Sequence, residues 1–226
     1  MTSIERPQSL AAMVLSHLRE QIVSGELELG SAISERQLAE TMNVSKTPVR
    51  ESLVQLKAEG LVTIRPQRGA FVFTLSAREV SEICEFRVAL ENTAMKLSLE
   101  RNRQALLDDL SKLVSHMKIA RATGDSRQYL KLDTEFHASF FRHCENHYLQ
   151  DSYERYAGKI AALRTHLALK PWHTKLSFEE HIKICDALCG GADVESLLRA
   201  HIIRTRESYS DEVDDIAAAD KKQPES

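Results

Sequence analysis

The sequence predicts a mainly α-helical protein with one small β-hairpin in its N-terminal third. Its 226 residues include only 8 glycines and 5 prolines, so few positions interrupt a helix. Apolar residues recur at helical spacing along most of the chain, and two short β runs follow one another within residues 61–74. With 42% hydrophobic and 28% charged residues, the chain is neither disordered nor collagen-like.

Composition also limits the compartment and the partners. Four cysteines without a CxxC pair, and an N-terminus unlike a signal peptide, favour a cytoplasmic protein with reduced thiols. No stretch reaches the roughly 20 apolar residues that span a bilayer, so no membrane partner is expected. The net charge is -3, but residues 36–68 carry six basic and three acidic side chains, a local surplus that suits contact with phosphates.

The first two helices are predicted from an apolar stripe and a capping motif. Apolar residues spaced by four predict a helix over about 8–24, and Gly25 follows it as a C-terminal cap. Ser34 opens a capping box with Gln37, which predicts a short second helix. Asn43 lies in the tight turn that follows, because asparagine tolerates a left-handed backbone.

A third helix and a hairpin complete this segment. The helix is predicted over about 46–58, since Pro48 would lie in its first turn, where no N–H is needed. The β runs 61–65 and 70–74 are joined by residues 66–69. Two helices around a tight turn, followed by a β wing, predict a winged helix-turn-helix domain over residues 1–75.

In that geometry the third helix enters the major groove of DNA, with its N-terminal residues at the base edges. Arginine can fork to guanine, hydroxyls can bind phosphate, and a cation on the wing can approach a groove. Taken singly, each residue fits equally well a small helical cap with a solvated charged face. The candidate DNA-binding residues are Arg36, Ser45, Lys46, Thr47, Arg50, Arg68 and Gly69.

The remainder, residues 76–226, is predicted to be an all-helical bundle. Ser76, Ser177 and Asp193 are read as N-terminal caps, Pro171 as the end of the fourth helix, and residues 190–191 as the end of the fifth. The six predicted helices cover about 76–101, 103–123, 126–144, 147–169, 177–190 and 193–216.

Polar residues on the apolar faces of three of these helices predict a metal site. Asp133 and His137 are one turn apart on one face, and His181 and His201 lie on the apolar stripes of later helices. Burying one carboxylate and three imidazoles is costly unless something binds them, and a divalent cation would satisfy all four. Hydrogen-bonded core histidines are the alternative.

Three further polar residues are candidates for binding a carboxylate ligand. Arg87 lies on an apolar stripe, where its guanidinium needs an acidic partner, either a ligand or Glu91 one turn on. Arg164 is a candidate of the same kind, and Asn146 is either a ligand contact or a helix cap.

The N-terminal motifs together resemble the GntR family of bacterial transcription regulators over about residues 10–74. The resemblance implies a homodimer that binds double-stranded operator DNA, mainly through Arg36, Lys46 and Arg50, with Ser45 and Thr47 on phosphate and the wing at Gly69. Lys46 stands where the family more often has arginine. The matching runs are Ile22-Val-Ser-Gly25, Gly30, Ser34-Glu-Arg-Gln-Leu-Ala39, Val44-Ser-Lys-Thr-Pro-Val-Arg-Glu51, Leu56, Glu59-Gly-Leu61 and Arg68-Gly-Ala-Phe-Val72.

The second segment resembles the FCD ligand-binding domain of FadR-type GntR regulators over about residues 76–216. Its six-helix count is similar to the VanR-type branch. The resemblance implies a zinc, nickel or manganese ion held by Asp133, His137, His181 and His201, with Arg87 and Arg164 on the effector side. The matching motifs are Glu85-Phe-Arg87, Glu91, Asp133-x-x-Phe-His137, Asn146-x-x-Leu149, Glu180-His181-x-x-Ile184, and Asp193 with His201.

Taken together, these features predict a transcription regulator, expected to be a repressor, whose operator binding responds to a small organic or sugar acid at the metal site. A metal-dependent hydrolase, a regulator that senses the metal itself, and a purely structural metal are the alternatives. The sequence contains no nucleotide-binding loop, no GxSxG motif and no evident general base beyond the four ligands, so an enzyme is not expected.

Overall fold

The computed structural model describes residues 9–167, 171–191 and 193–220. The chain divides into two compact units, Met1–Thr74 and Leu75–Ser226. Among the described residues, no helix is long and apolar enough to cross a membrane.

The N-terminal unit is a winged helix-turn-helix with a three-stranded sheet, which confirms the predicted fold class. The strands are antiparallel in the order β1-β3-β2. Strand β1 was not predicted, because two residues are too short to show an alternating pattern; it pairs Ala32 with Phe71 and Ile33 with Ala70. The elements are α1 (Leu10–Val23), β1 (Ala32–Ile33), α2 (Glu35–Thr41), α3 (Lys46–Ala58), β2 (Val62–Arg65) and β3 (Gly69–Val72).

The local signals in this unit act as expected. The Ser34 hydroxyl accepts a hydrogen bond from the Gln37 N–H and caps α2. Asn43 has a φ of 51°, the left-handed conformation that the tight turn between α2 and α3 requires. Leu18 of α1 and Val49 and Leu56 of α3 are fully buried and belong to the core of this unit. This packing fixes which face of α3 remains exposed.

Within its described residues the C-terminal unit contains the six predicted helices, and the predicted end of the fourth, near residue 169, lies outside the described residues. The helices are α4 (Ala77–Arg101), α5 (Arg103–Ala122), α6 (Ser126–His143), α7 (His147–Leu167), α8 (Pro171–Gly190) and α9 (Val194–Asp220). Helix α4 packs against α5, α6, α7 and α9, and α8 packs against α5 and α9. Ser76 and Glu79 form a reciprocal capping box at the start of α4.

One predicted helix start was wrong. Helix α8 begins at Pro171 rather than at Ser177, so Pro171 opens a helix instead of ending one. Proline is compatible with this position because its φ suits the first turn and its missing N–H would have no partner there. Ser177 is buried inside α8, and its hydroxyl donates to Asp133 Oδ1 at 3.4 Å instead of capping a helix.

Candidate metal centre and nucleic-acid interface

Three histidines from three helices meet in the core of the C-terminal unit. His137 of α6, His181 of α8 and His201 of α9 are all buried. One ring nitrogen from each lies within 4.8 Å of the other two, and Nε2 of His137 is 3.3 Å from Nε2 of His201. The helical stripes predicted that these residues face inward, and the packing of α6, α8 and α9 brings them together.

His137 is oriented by a buried carboxylate. Its Nδ1 lies 2.6 Å from Glu91 Oε2, and the other oxygen of Glu91 accepts a hydrogen bond from Arg87 Nε at 2.7 Å. A carboxylate beside Nδ1 selects the tautomer with the proton on that nitrogen. The Nε2 lone pair of His137 therefore faces the other histidines.

His201 has the same arrangement on the opposite side. Its Nδ1 lies 2.7 Å from Glu180 Oε2, while the other oxygen of Glu180 pairs with Arg204. Two Nε2 lone pairs then face each other at 3.3 Å, which is repulsive unless a cation or a proton lies between them. Two nitrogens bound tetrahedrally to one ion at about 2.0–2.1 Å would be roughly 3.3 Å apart.

His181 is the third histidine of the cluster, and Asp133, the fourth predicted ligand, lies beside it but outside the set of atoms that are all within 4.8 Å of one another. Neither ring nitrogen of His181 has a hydrogen-bond partner among the described residues, although the ring is fully buried. Its Nε2 lies 3.6 Å from Asp133 Oδ1, beyond hydrogen-bond distance. Asp133 also pairs with Arg164, whose Nε is 3.4 Å from Oδ2. Leaving a buried imidazole unpartnered beside a carboxylate is costly, and a water molecule or a metal ion between the two groups would remove that cost.

Burial also sets the protonation states of the cluster. It lowers the pKa of His181 to about 3 and that of His201 to about 4, and it lowers the pKa of His137 well below the usual value. Burial opposes ionisation of Asp133, but Arg164 and the three nearby imidazoles together outweigh it and hold the pKa of this carboxyl below its usual range. At neutral pH the cluster therefore offers neutral imidazoles and a carboxylate, the forms that bind metals. Three nitrogens and one oxygen fit a divalent transition metal such as zinc, nickel or manganese.

The two candidate arginines differ in how fully they are paired. Arg87 makes the internal pair with Glu91 that the sequence left open as an alternative. Arg164 is 6% exposed and pairs with Asp133, and it also lies beside buried Tyr153, where burial raises the pKa of the phenol and the charge of Arg164 lowers it in part. Its two terminal nitrogens make no hydrogen bond of good geometry within the described part of the chain, so they are candidate donors to an anionic ligand.

Asn146 lies at the start of α7, where its side-chain oxygen accepts a hydrogen bond from the Leu149 N–H at 3.2 Å. It therefore acts as a helix cap, the alternative that the sequence also allowed. A ligand contact by Asn146 stays a prediction.

Sequence reasoning did not find the two carboxylates that orient the histidines. Glu91 was named among the family motifs, but the only role predicted for it was that of a partner of Arg87, because its contact with His137 spans 46 residues. Glu180 precedes His181 directly but orients His201 instead, 21 residues further on. Neither pairing has a local signal in the sequence, since both depend on how α4, α6, α8 and α9 pack.

The predicted DNA-binding residues lie on the surface of the N-terminal unit. Buried Pro48, Val49 and Leu53 turn the opposite face of α3 toward solvent. The Ser45 hydroxyl makes no capping bond at the start of α3. The exposed residues are Ser45, Lys46, Thr47 and Arg50 on α3, Arg36 on α2, and Arg68 and Gly69 at the hairpin.

Two ion pairs organise the arginines of this surface. Arg50 Nε lies 2.7 Å from Glu35 Oε2 of α2, and Arg36 lies 3.3 Å from Glu40 one turn along the same helix. Gly69 has a φ of 92°, and a β-carbon built there would meet no neighbouring atom within 4 Å. The space around Gly69 is therefore open, and the absence of a side chain there lets the hairpin backbone approach a groove.

Comparisons with known proteins agree with both units. The model of the bacterial regulatory proteins of the gntR family matches residues 10–72, and the FCD domain model matches residues 82–204. The gluconate operon transcriptional repressor of Bacillus subtilis (strain 168) is 32% identical over 142 residues, which are 63% of this chain and 58% of that repressor. The HTH-type transcriptional repressor RspR of Escherichia coli (strain K12) is 24% identical over 209 residues, 92% of each chain.

Solved structures show the same fold. A transcriptional regulator GntR from Rhodococcus sp. RHA1 gives a TM-score of 0.76 at 18% identity, covering 89% of this chain and 98% of its own. Escherichia coli McbR/YncC gives 0.74 at 22% identity, covering 93% and 100%.

The winged helix-turn-helix and the helical unit that follows it define a two-unit class of protein, and the relatives described above are transcription repressors. Within that class, the chain belongs to the GntR family of bacterial regulatory proteins and contains an FCD domain.

Proposed function

We propose that this protein is a dimeric, cytoplasmic transcription repressor whose binding to operator DNA responds to a small carboxylate at a metal centre in the helical domain. The observation that carries this proposal is the buried cluster of His137, His181 and His201. Such a cluster is costly in a protein that does not use it, and the family links it to a DNA-binding unit.

The ligand set of the proposed centre is His137, His181, His201 and Asp133. Glu91 and Glu180 would hold two of the imidazoles with Nε2 toward the ion, which is the usual arrangement of metal-bound histidines. Four protein ligands would fill a tetrahedral ion, so an effector would bind an ion that expands to five or six ligands.

Arg164 supports a carboxylate as the effector. Its unpartnered terminal nitrogens lie on the guanidinium that already pairs with Asp133. An acid can bind the ion with one oxygen and Arg164 with another, which combines charge neutralisation with bidentate geometry. Arg87 would act more indirectly, because it is committed to Glu91.

Sugar acids are the first effectors to test. Two relatives are named as repressors of gluconate operons, at 32% and 31% identity, although each match covers only 58% of the relative. The six-helix unit also favours the VanR-like branch of FadR-type regulators over the seven-helix branch that binds fatty acyl groups.

In the N-terminal unit, we assign base contacts to Arg50 and Lys46 and contact with the DNA backbone to Arg36, Ser45 and Thr47. Arg68 and Gly69 would enter a groove from the wing. The effector can change DNA affinity only if it binds the DNA-competent and DNA-incompetent arrangements of the dimer unequally.

Thermal melting of the purified protein tests the centre. Gluconate and other small carboxylates are added with and without EDTA and zinc, nickel or manganese. A ligand at 100 times its Kd should add about 2.7 kcal/mol, which corresponds to a shift of roughly 5–10 °C. We expect the shift with metal and not with EDTA.

His181→Ala should abolish that shift, whereas His116→Ala, which removes an exposed histidine of α5, should leave it intact. If neither acids nor metals move the melting temperature, the cluster is a hydrogen-bonded core and the proposed effector site is wrong. A shift with metal that no acid enlarges would instead favour a sensor of the metal itself.

A further inference from the structure

The exposed arginine of the third helix is held from one side by an acidic residue of α2. Glu35 Oε2 accepts a hydrogen bond from Arg50 Nε at 2.7 Å. Glu35 is the first residue of α2, and Arg50 lies 15 residues later, in the second turn of α3. The pair therefore connects the two helices of the helix-turn-helix across their tight turn.

The hydrogen bond of Glu35 to Nε limits the contacts that the Arg50 guanidinium can make with DNA. A guanidinium can form a two-pronged contact either end-on, through its two terminal nitrogens, or side-on, through Nε and one terminal nitrogen. Because Glu35 takes Nε, only the end-on fork is left. That fork matches the O6 and N7 acceptors of guanine in the major groove.

Stability does not account for this ion pair. The Arg50 and Glu35 side chains are 64% and 37% exposed, and exposed ion pairs contribute little to folding. A carboxylate on the DNA-facing surface also weakens attraction to phosphates. Because Glu35 lowers general affinity for DNA and its ion pair adds little stability, its main effect is on the direction of the Arg50 guanidinium.

A second ion pair on α2 provides the contrast. Arg36 pairs with Glu40 at 3.3 Å, one turn along the same helix, and these side chains are 73% and 64% exposed. This contact is local and longer, and it does not connect α2 to α3. Since Arg36 is assigned to the DNA backbone, its orientation should not affect sequence readout.

We infer that Glu35 is a positioning residue that fixes the guanidinium of Arg50 for end-on recognition of guanine, lowering general DNA affinity and raising sequence discrimination. This inference rests on the proposed operator binding. The sequence alone gave Glu35 no role beyond the first turn of α2.

The test compares two DNA affinities for each variant. A duplex enriched from a random pool by the full-length wild-type protein serves as the specific probe, and the same duplex with its G·C pairs exchanged for A·T serves as the non-specific probe. Fluorescence anisotropy gives both dissociation constants and their ratio for wild type, Glu35→Gln, Arg50→Ala, the double variant and Glu40→Gln.

We expect Glu35→Gln to bind the non-specific duplex as tightly as wild type or more tightly, while the ratio falls about fivefold or more. Glu40→Gln removes the same charge from the same helix and should leave the ratio unchanged. In the Arg50→Ala background, Glu35→Gln should have no further effect on the ratio, because the residue acts through Arg50.

The results that would contradict the proposed operator binding differ from those that would contradict the inference about Glu35. If wild type enriches no sequence, the proposed operator binding itself fails. If wild type does enrich a sequence, an unchanged affinity ratio in Glu35→Gln or in Arg50→Ala overturns the inference. An equal fall of the ratio in Glu40→Gln overturns it as well. So does a full effect of Glu35→Gln in the Arg50→Ala background, which would mean that Glu35 reads a base directly. The side chains of Glu35 and Arg50 are exposed, so circular dichroism should show wild-type folding in every variant.

Discussion

Replacing Glu91 with glutamine should destabilise the helical unit strongly, because this carboxylate is shared by two buried partners. Glu91 is fully buried, its Oε1 accepts from Arg87 Nε at 2.7 Å, and its Oε2 is 2.6 Å from His137 Nδ1. Glutamine keeps the shape but removes the charge. Burial disfavours the charged guanidinium of Arg87, but the charge and hydrogen bond of Glu91, together with smaller contributions from Tyr153 and Cys84, outweigh this and raise the pKa of Arg87.

The magnitude follows from the burial of the pair. Removing one partner of a buried ion pair leaves an uncompensated charge and costs about 3–5 kcal/mol. For a chain of this size that lowers the melting temperature by roughly 10 °C. Glu82→Gln is the matched control, since Glu82 and Arg78 form the same one-turn pair on the same helix, with side chains 57% and 88% exposed.

Thermal and guanidinium unfolding of the metal-free protein, followed by far-UV circular dichroism, measure the difference. We expect a large loss of stability for Glu91→Gln and no measurable change for Glu82→Gln. Equal stability of the two variants would refute the reasoning, because the structural difference between the pairs is their burial and the additional contact of Glu91 with His137.

Three further predictions concern the histidine centre. Glu180→Gln should weaken metal binding about 10–100-fold, measured by competition with a chromogenic chelator, because Glu180 orients His201; unchanged affinity would contradict that role. In the metal-free protein, the free energy of unfolding should fall between pH 7 and pH 5 by up to about 1.4 kcal/mol per pH unit for each histidine of the centre. The sign follows because burial lowers these pKa values, so that the unfolded chain binds more protons below about pH 6.5; denaturant titrations showing a flat profile would exclude it. Arg164→Gln should abolish the melting shift caused by a carboxylate and leave DNA binding of the ligand-free protein intact; a retained shift would exclude Arg164 as the anion contact.

Most of the secondary structure follows from local chemistry that the sequence displays. Helix α3 was predicted over about 46–58 and extends over Lys46–Ala58, because Pro48 and Gly60 limit it on both sides. Strand β1 was missed because its two residues form a strand only by pairing with β3. The start of α8 was misplaced because a proline after a helical segment is compatible both with its end and with the first turn of a new helix.

The candidate metal centre, too, could be predicted from the sequence only in part. Helical spacing was sufficient to predict that Asp133, His137, His181 and His201 face inward, since the side on which a residue lies depends only on its position along its own helix. The carboxylates that orient the imidazoles could not be predicted from helical spacing. Glu91 contacts His137 across 46 residues, and no periodicity contains that information.

The sequence by itself therefore determined the winged helix, the helical unit, the family and the inward-facing polar residues, because all of these depend on local patterns. Only the tertiary structure decided that Arg87 is paired internally, that Arg164 pairs with Asp133, and that Glu35 contacts Arg50. The physical reason is the same in each case. A charged side chain chooses its partner by distance in space, and that distance is fixed only when the helices that carry both groups have packed.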